Sequence, residues 1–396
     1  MSNPIPSMAD TGPTMQQLGT LVAEADHTDD KTVIHFRHVI VDFKPQPSGR
    51  PAAIFPIPLG RRQDLIKQVF DEISECKPRF AMTQGILGLL LRTTLPALES
   101  FVRNNRNRGR QMLLILTEGR KLCDIFITTG IPGFDAGETE ERIQSIVNHA
   151  RYRDLATCIV TRVGGADMAH IWPFWATSSV NYTKRNLTLF NFLALLVGDD
   201  WMDVLRPKVS GVRMTEVKEN LFALGQIVHG WTDKACCAFQ FLDVEQVVGT
   251  EKWNTVLKFH FFPSPCEIKA AATWPAVEAM IQELETLFRR EQARGLQARA
   301  PKEDYSAGYV GAYLPKGERL QSGQLFTITH DNEEDAKVSG TFFEGHWFCM
   351  SVLALGAGVK EEISPEERKK MLEEEKARWE KTVVGKLNTR KRKQNA

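Results

Sequence analysis

Hydrophobic and polar residues alternate with recognisable periods along the first 150 residues of the chain. Between residues 64 and 75 the apolar positions recur at helical spacing, which predicts a helix. A run rich in β-branched and aromatic residues at 32–43 predicts a strand before that helix. Two short apolar runs, 112–117 and 123–129, flank a polar segment that contains glycine, and they predict a β-hairpin. A further helix is predicted at 138–150.

The remaining chain also mixes strand and helix patterns. Short apolar runs at 158–161 and 255–262 predict strands. Residues 274–288 begin with a Trp-Pro pair and continue with apolar positions at the helical period, which predicts an amphipathic helix. A strand at 325–329 and a helix at about 344–355 are predicted to follow.

These predicted elements and the changes in composition divide the chain into five segments. Strands and helices are predicted in the central part and on both sides of it, which indicates an α+β fold. The predicted segments are a flexible lead-in at 1–30, an N-terminal α+β region at 31–150, a core at 151–263, a C-terminal α+β region packing on the core at 264–360, and a charged helix with a basic tail at 361–396.

Composition and charge restrict the function classes. The 396 residues are 42% hydrophobic and 25% charged with a formal net charge of +1, so we expect a soluble globular protein without chain-wide attraction for nucleic acid or anionic lipid. The longest apolar stretch, residues 85–91, is far shorter than the roughly 20 residues that span a bilayer. We therefore expect an intracellular, cytoplasmic protein with no membrane partner. The basic cluster Arg390–Lys393 is typical of a nuclear-import signal as well as of a solvated chain end.

The most informative pattern is a histidine motif followed fifty residues later by a second one. The first is Ala-His-Ile-Trp-Pro-Phe, with the histidine at His170. The second begins at Asn220 and continues to His229 and Asp233. The last two residues are four positions apart, so on a helix both side chains project from one face. One nitrogen and one carboxylate so placed are suited to hold a single divalent cation.

These motifs resemble the HNH, or ββα-metal, nuclease superfamily, and in particular the HNH-domain proteins of filamentous fungi. The resemblance covers residues 151–360, with 158–161 similar to the first strand of the family and 256–262 similar to the strand after its metal-binding helix. It implies an HNH-like ββα-metal core embedded in a larger mixed α/β single unit with N- and C-terminal extensions.

The same resemblance implies roles for four residues. His170 and Asn220 are expected to be the catalytic residues. His170 is the expected general base that activates water for phosphodiester hydrolysis, and Asn220 is expected to brace the loop that holds this base. His229 and Asp233 are expected to bind Mg²⁺ or another divalent cation weakly, because only two protein ligands are assured. The implied function is a metal-dependent endonuclease, a hydrolase that acts on nucleic acid.

Two alternatives follow from the residues themselves. Residues 151–260 contain twelve basic and eleven acidic side chains. Proteins that bind phosphates usually concentrate positive charge near the site. The same segment is rich in aromatic residues. Trp172, Trp175 and Trp231 are candidate substrate-binding residues or, alternatively, core residues. The scaffold is therefore also typical of a metal-independent small-molecule enzyme of fungal specialised metabolism, such as a cyclase or Diels–Alder-type enzyme with a small hydrophobic substrate. A non-catalytic binding protein is the third hypothesis.

Overall fold

The computed structural model describes residues 59–127, 141–198, 200–262, 270–293, 312, 314–315 and 320–356. All of them belong to one compact unit that spans residues 51–396. The described residues are 58% helical and 15% strand, so the predicted α+β class is confirmed. The lead-in at 1–30, the strand predicted at 32–43 and the charged segment at 361–396 lie outside the described residues.

Helices dominate the described residues between 59 and 209. The helix predicted at 64–75 is confirmed, and its buried residues, among them Ile66 and Phe70, share one face. No described helix is by itself long and apolar enough to cross a membrane, and only one adjacent pair, bent by 115°, meets that criterion jointly. The helices are α1 (Gly60–Cys76), α2 (Gln84–Arg92), α3 (Leu95–Asn104), α4 (Gly109–Asp124), α5 (Gln144–Arg153), α6 (Val180–Val197) and α7 (Asp200–Val209).

The hairpin predicted at 112–117 and 123–129 is wrong, because residues up to Asp124 form helix α4. This helix is buried on nearly every side, and its buried residues include the unbroken apolar run at 112–116 and the polar residues Glu118 and Arg120, so the segment looks like two strands joined by a polar turn. Gly119, which suggested a turn, lies inside the helix where α6 passes closely. A Cβ atom at this position would be 3.3 Å from the Cα atom of Leu193. The glycine therefore permits helix packing rather than a chain reversal.

A small antiparallel sheet and a short helix form the centre of the unit. Strand β1 (Asp167–His170) pairs with β2 (Leu221–Leu224), with His170 opposite Leu221 in the register. Helix α8 (Gln226–Asp233) follows β2 after a single residue, Gly225. The order is thus strand, strand, helix, with α6 and α7 inserted between the two strands.

The strand predicted at 158–161 is wrong, because this segment forms a tight loop. The amide of Arg162 donates to the carbonyl of Cys158 at 2.9 Å, and the amide of Cys158 donates to the carbonyl of Val163 at 2.9 Å. These local hydrogen bonds close the loop on itself, and the pairing strand begins only at Asp167. The apolar residues Ile159 and Val160 are buried, which explains why their sequence resembles that of a strand.

A second sheet follows α8. Strands β3 (Cys237–Gln246), β4 (Trp253–Phe261) and β5 (Leu325–His330) form an antiparallel sheet in the order β3-β4-β5. The strands predicted at 255–262 and 325–329 are confirmed, and so is the helix predicted from Trp274, which is α9 (Trp274–Ala293).

The last described helix, α10 (Glu333–Gly356), begins earlier than predicted. The side chain of Asn332 accepts a hydrogen bond from the amide of Asp335 at 2.9 Å and caps the N-terminus. Acidic residues in the first turn also favour this start, because they face the positive end of the helix dipole. The helix is almost wholly buried beyond residue 341, so its sequence lacks a clear period.

Aromatic packing joins the two sheets. Phe222 of β2 contacts Phe239 of β3 and Phe343 of α10, with ring centroids 5.6 and 5.2 Å apart. Phe239 in turn contacts Phe259 of β4 at 5.4 Å. All four rings are buried and meet edge to face, a geometry worth about 0.5–1.5 kcal/mol for each pair beyond the area it buries. The small sheet is therefore held rigidly against the larger one.

Candidate functional site

His170, the last residue of β1, contacts a charged residue on each side of its ring. Its Nε2 atom is 2.5 Å from Oε1 of Glu216, and its Nδ1 atom is 3.2 Å from Nη2 of Arg142. A guanidinium group only donates hydrogen bonds, so Nδ1 acts as the acceptor and the proton lies on Nε2. The neutral ring thus donates to Glu216 and points a lone pair at Arg142.

Glu216 is fully buried beneath His170. Its second oxygen, Oε2, accepts a hydrogen bond from the amide of Ile143 at 2.8 Å. Burial by itself would raise the pKa of this carboxyl, but the hydrogen bonds from His170 and Ile143, together with the charge of Arg142, hold its pKa below the usual range. Glu216 is therefore an anion at neutral pH.

The environment of His170 favours its neutral form. Burial lowers the pKa of the imidazole, and the nearby positive charge of Arg142 acts in the same direction. The hydrogen bond to Glu216 opposes them but does not prevail. At pH 7 the ring is therefore unprotonated at Nδ1, which is the state that a general base requires.

Asn220 precedes β2 and holds the chain directly after His170. Its Oδ1 atom accepts from the amide of Trp172 at 2.7 Å, and its Nδ2 atom donates to the carbonyls of Trp172 and Thr215 at 2.8 and 2.9 Å. The side chain is completely buried. Asn220 was predicted both to brace this loop and to be catalytic. The contacts make it a positioning residue, because a buried amide cannot touch a substrate.

His229 of α8 lies between two exposed carboxylates. Its Nε2 atom is 3.7 Å from Oδ1 of Asp233, and its Nδ1 atom is 4.0 Å from Oδ2 of Asp167. The two nitrogens of one ring point in different directions, so a single cation has either Asp233 or Asp167 as the second ligand. Among the described residues no group of three or more His, Cys, Asp or Glu side chains is arranged to hold a metal. His229 with one of these carboxylates fits only a cation that keeps most of its coordinated water molecules.

The three tryptophans predicted to bind substrate occupy packing positions. Trp172 is 1% exposed, and its ring contacts Phe126 at 5.0 Å between centroids. Trp231 is 8% exposed and contacts Phe261 at 5.5 Å. Trp175 is partly buried and packs against the core. Trp172 and Trp231 are thus core residues, and their positions give the small-molecule hypothesis no support.

One cavity of about 580 Å³ lies between α1 and α3. Charged side chains of both signs line it, including Arg61, Glu72 and Arg103. None of the predicted site residues borders this cavity, so it does not extend the site around His170.

Glu216 and Arg142 are the site residues that the sequence did not reveal. They lie 46 and 28 positions from His170, and no motif contains them. Comparison with family models, with curated proteins and with solved structures finds no match to this chain.

Proposed function

We propose that this protein is an HNH-like, metal-dependent endonuclease that hydrolyses phosphodiesters with His170 as the general base. The observation that supports this proposal is the arrangement of β1, β2 and α8. Antiparallel pairing of the two strands places His170 beside Leu221, the residue after Asn220. Helix α8, which follows β2, contains His229 and Asp233. His170 and the second motif, which begins fifty residues later, thus belong to one strand–strand–helix unit.

The contacts of His170 suit proton abstraction. Glu216 fixes the ring and its tautomer, so that the lone pair of Nδ1 points at Arg142. When Nδ1 takes a proton from water, the imidazolium that forms is stabilised by the buried carboxylate of Glu216. A lowered pKa keeps the base unprotonated at pH 7, and the dyad compensates for the positive charge gained during the reaction.

Arg142 supplies local positive charge next to the base. Its side chain is exposed, and its guanidinium is hydrogen-bonded to Nδ1 of His170 and to the carbonyl of Met168. A phosphate is a stronger acceptor than either of these groups, and guanidinium binds it through two parallel hydrogen bonds. Substrate phosphate would therefore draw Arg142 away from Nδ1 and free this nitrogen for water. The balanced charge of the whole region does not exclude such a local site.

His229 and one of its two neighbouring carboxylates would hold a divalent cation such as Mg²⁺. When bound, this cation supplies positive charge that stabilises the negative charge of the phosphate. Neither carboxylate is buried, with Asp233 64% and Asp167 52% exposed, so we expect weak binding that is lost on dilution.

Cleavage of supercoiled plasmid and of single-stranded DNA in Mg²⁺ or Mn²⁺ tests the proposal. We expect wild-type activity that EDTA removes, and a loss of at least ~10²-fold in His170→Ala, because that change removes the base. His149→Ala, which deletes an exposed imidazole outside the site, is the matched control at saturating DNA. Wild-type protein that cleaves neither DNA with either metal, or His170→Ala protein that cleaves as fast as the control, would overturn the proposal.

A further inference from the structure

An exposed apolar tip lies at the end of α5. Tyr152 is 85% exposed, Leu155 is 76% exposed and Val163 is 63% exposed. These three residues and the exposed arginines Arg151 and Arg162 form the tip. Large side chains with most of their surface in water are usually scattered singly, whereas here they are close in the chain and flanked by positive charge.

The backbone of the tip has an unfavourable conformation. Leu155, Ala156 and Arg162 have φ angles of 56°, 53° and 58°, in the left-handed region that residues with a side chain seldom adopt. Local hydrogen bonds hold this conformation, including one from the amide of Ala156 to the carbonyl of Arg151 at 2.8 Å. Backbone strain of this kind clusters at functional sites such as ligand clamps.

The base of the tip is firmly attached to the candidate site. Arg153 donates to the carbonyls of Lys218 and Leu221 at 2.9 and 2.6 Å, beside Asn220. It also forms an ion pair with the buried Asp154 at 2.7 Å, so that carboxylate does not neutralise the outer arginines. Arg142 precedes α5 and Tyr152 lies near its other end. The ten residues of α5 extend about 15 Å. This rigid helix connects the tip to Arg142, which contacts the general base His170.

We propose that the tip binds single-stranded nucleic acid next to the cleavage site, with Tyr152 stacking on an unpaired base and Arg151 and Arg162 contacting phosphates. An exposed aromatic ring flanked by guanidinium groups has the chemistry that recognises unpaired bases and their backbone together. Leu155 and Val163 add apolar surface against the sugar and base. This inference rests on the proposed function, because it names the substrate class of that same site.

Fluorescence anisotropy of full-length protein with a labelled oligothymidylate, in EDTA to prevent cleavage, tests the inference. We expect Tyr152→Ala to raise Kd by about 5-fold or more, while Tyr152→Phe stays close to wild type because the ring is kept. The double variant Arg151→Ala/Arg162→Ala should reduce the slope of log Kd against log salt by about 1.4, or 0.7 for each phosphate contact. Arg79→Ala and Val248→Ala, at exposed positions in turns elsewhere, are the matched controls.

The outcomes separate the tip from the catalytic proposal. The basic tail is present in every variant, so only differences between variants are interpreted. Unchanged affinity of Tyr152→Ala and an unchanged salt slope of the double variant would overturn the inference while leaving cleavage by His170 intact. Binding that depends on the tip without any cleavage would overturn only the proposed function. A wild-type dimer in sedimentation that Tyr152→Ala dissociates would identify a second copy as the occupant and would also overturn the inference.

Discussion

Three buried histidines predict that this protein loses stability between pH 7.5 and pH 5.5. His260 of β4 is completely buried, and His330 of β5 and His346 of α10 are each 3% exposed. Burial lowers the pKa of each imidazole to about 3. Neither nitrogen of His260 has a hydrogen-bond partner within the described structure. No hydrogen bond to His260 within the described structure compensates for the cost of a charged ring.

Nearby charges mostly act in the same direction as burial. Lys258 further lowers the pKa of His260. Arg153 and Lys218 lower the pKa of His330, and Asp335 raises it without cancelling the effect of burial. The pKa of His346 is lowered by burial alone, and its ring lies edge-on against Phe126 at 5.5 Å. The folded protein therefore keeps all three rings neutral at pH 5.5.

The size of the effect follows from proton linkage. An unfolded histidine has a pKa near 6.5, so below that pH the unfolded chain binds protons that the folded chain does not, and folding stability falls as pH falls. Between pH 7.5 and 5.5 each histidine with a folded pKa of about 3 costs about 1.4 kcal/mol, and three cost about 4 kcal/mol. This is a large part of the 5–15 kcal/mol that is typical of folded domains.

Urea unfolding at the two pH values measures this loss. His346→Leu replaces the ring by an apolar side chain of similar volume and should reduce the loss to about 3 kcal/mol. His149→Ala, at an exposed position, should keep the full loss. A wild-type free energy of unfolding that changes by less than ~1 kcal/mol over this range, or equal losses in His346→Leu and wild type, would refute the reasoning.

Further predictions concern the site around His170. Asn220→Ala should lower the free energy of unfolding by about 3 kcal/mol in urea titrations, because it leaves buried backbone groups without partners; a loss under ~1 kcal/mol would contradict the bracing role. Glu216→Gln should slow cleavage and move the acidic limb of the pH–rate profile to lower pH, since the carboxylate raises the pKa of His170; a shift to higher pH would exclude the dyad. Calorimetric titration of Mn²⁺ into Asp233→Ala and Asp167→Ala should show a reduced heat of binding in the variant that lacks the second metal ligand. Heats equal to wild type in both variants would exclude both carboxylates as metal ligands.

The sequence by itself determined those elements that bury only one face. In α1 and α9 the apolar residues repeat every turn because the opposite side meets water, and a local pattern records this difference. The same reasoning failed for α4, because its polar residues Glu118 and Arg120 are buried with the apolar ones and their position in the sequence suggested an exposed turn. The strand prediction at 158–161 was wrong for a related reason, because the apolar side chains Ile159 and Val160 are buried although the segment forms a loop.

The site divides in a similar way. The spacing of His229 and Asp233 on one helix is a local property, and the sequence predicted their approach correctly. The partners of His170 depend on contacts between segments that are distant in the chain, and only the tertiary structure places Glu216 beneath the ring and Arg142 beside it. Asp167 also reaches His229 only because α8 packs beside β1. A short motif reports the chemistry of its own residues, whereas the charges that tune this chemistry come from wherever the fold brings the chain together.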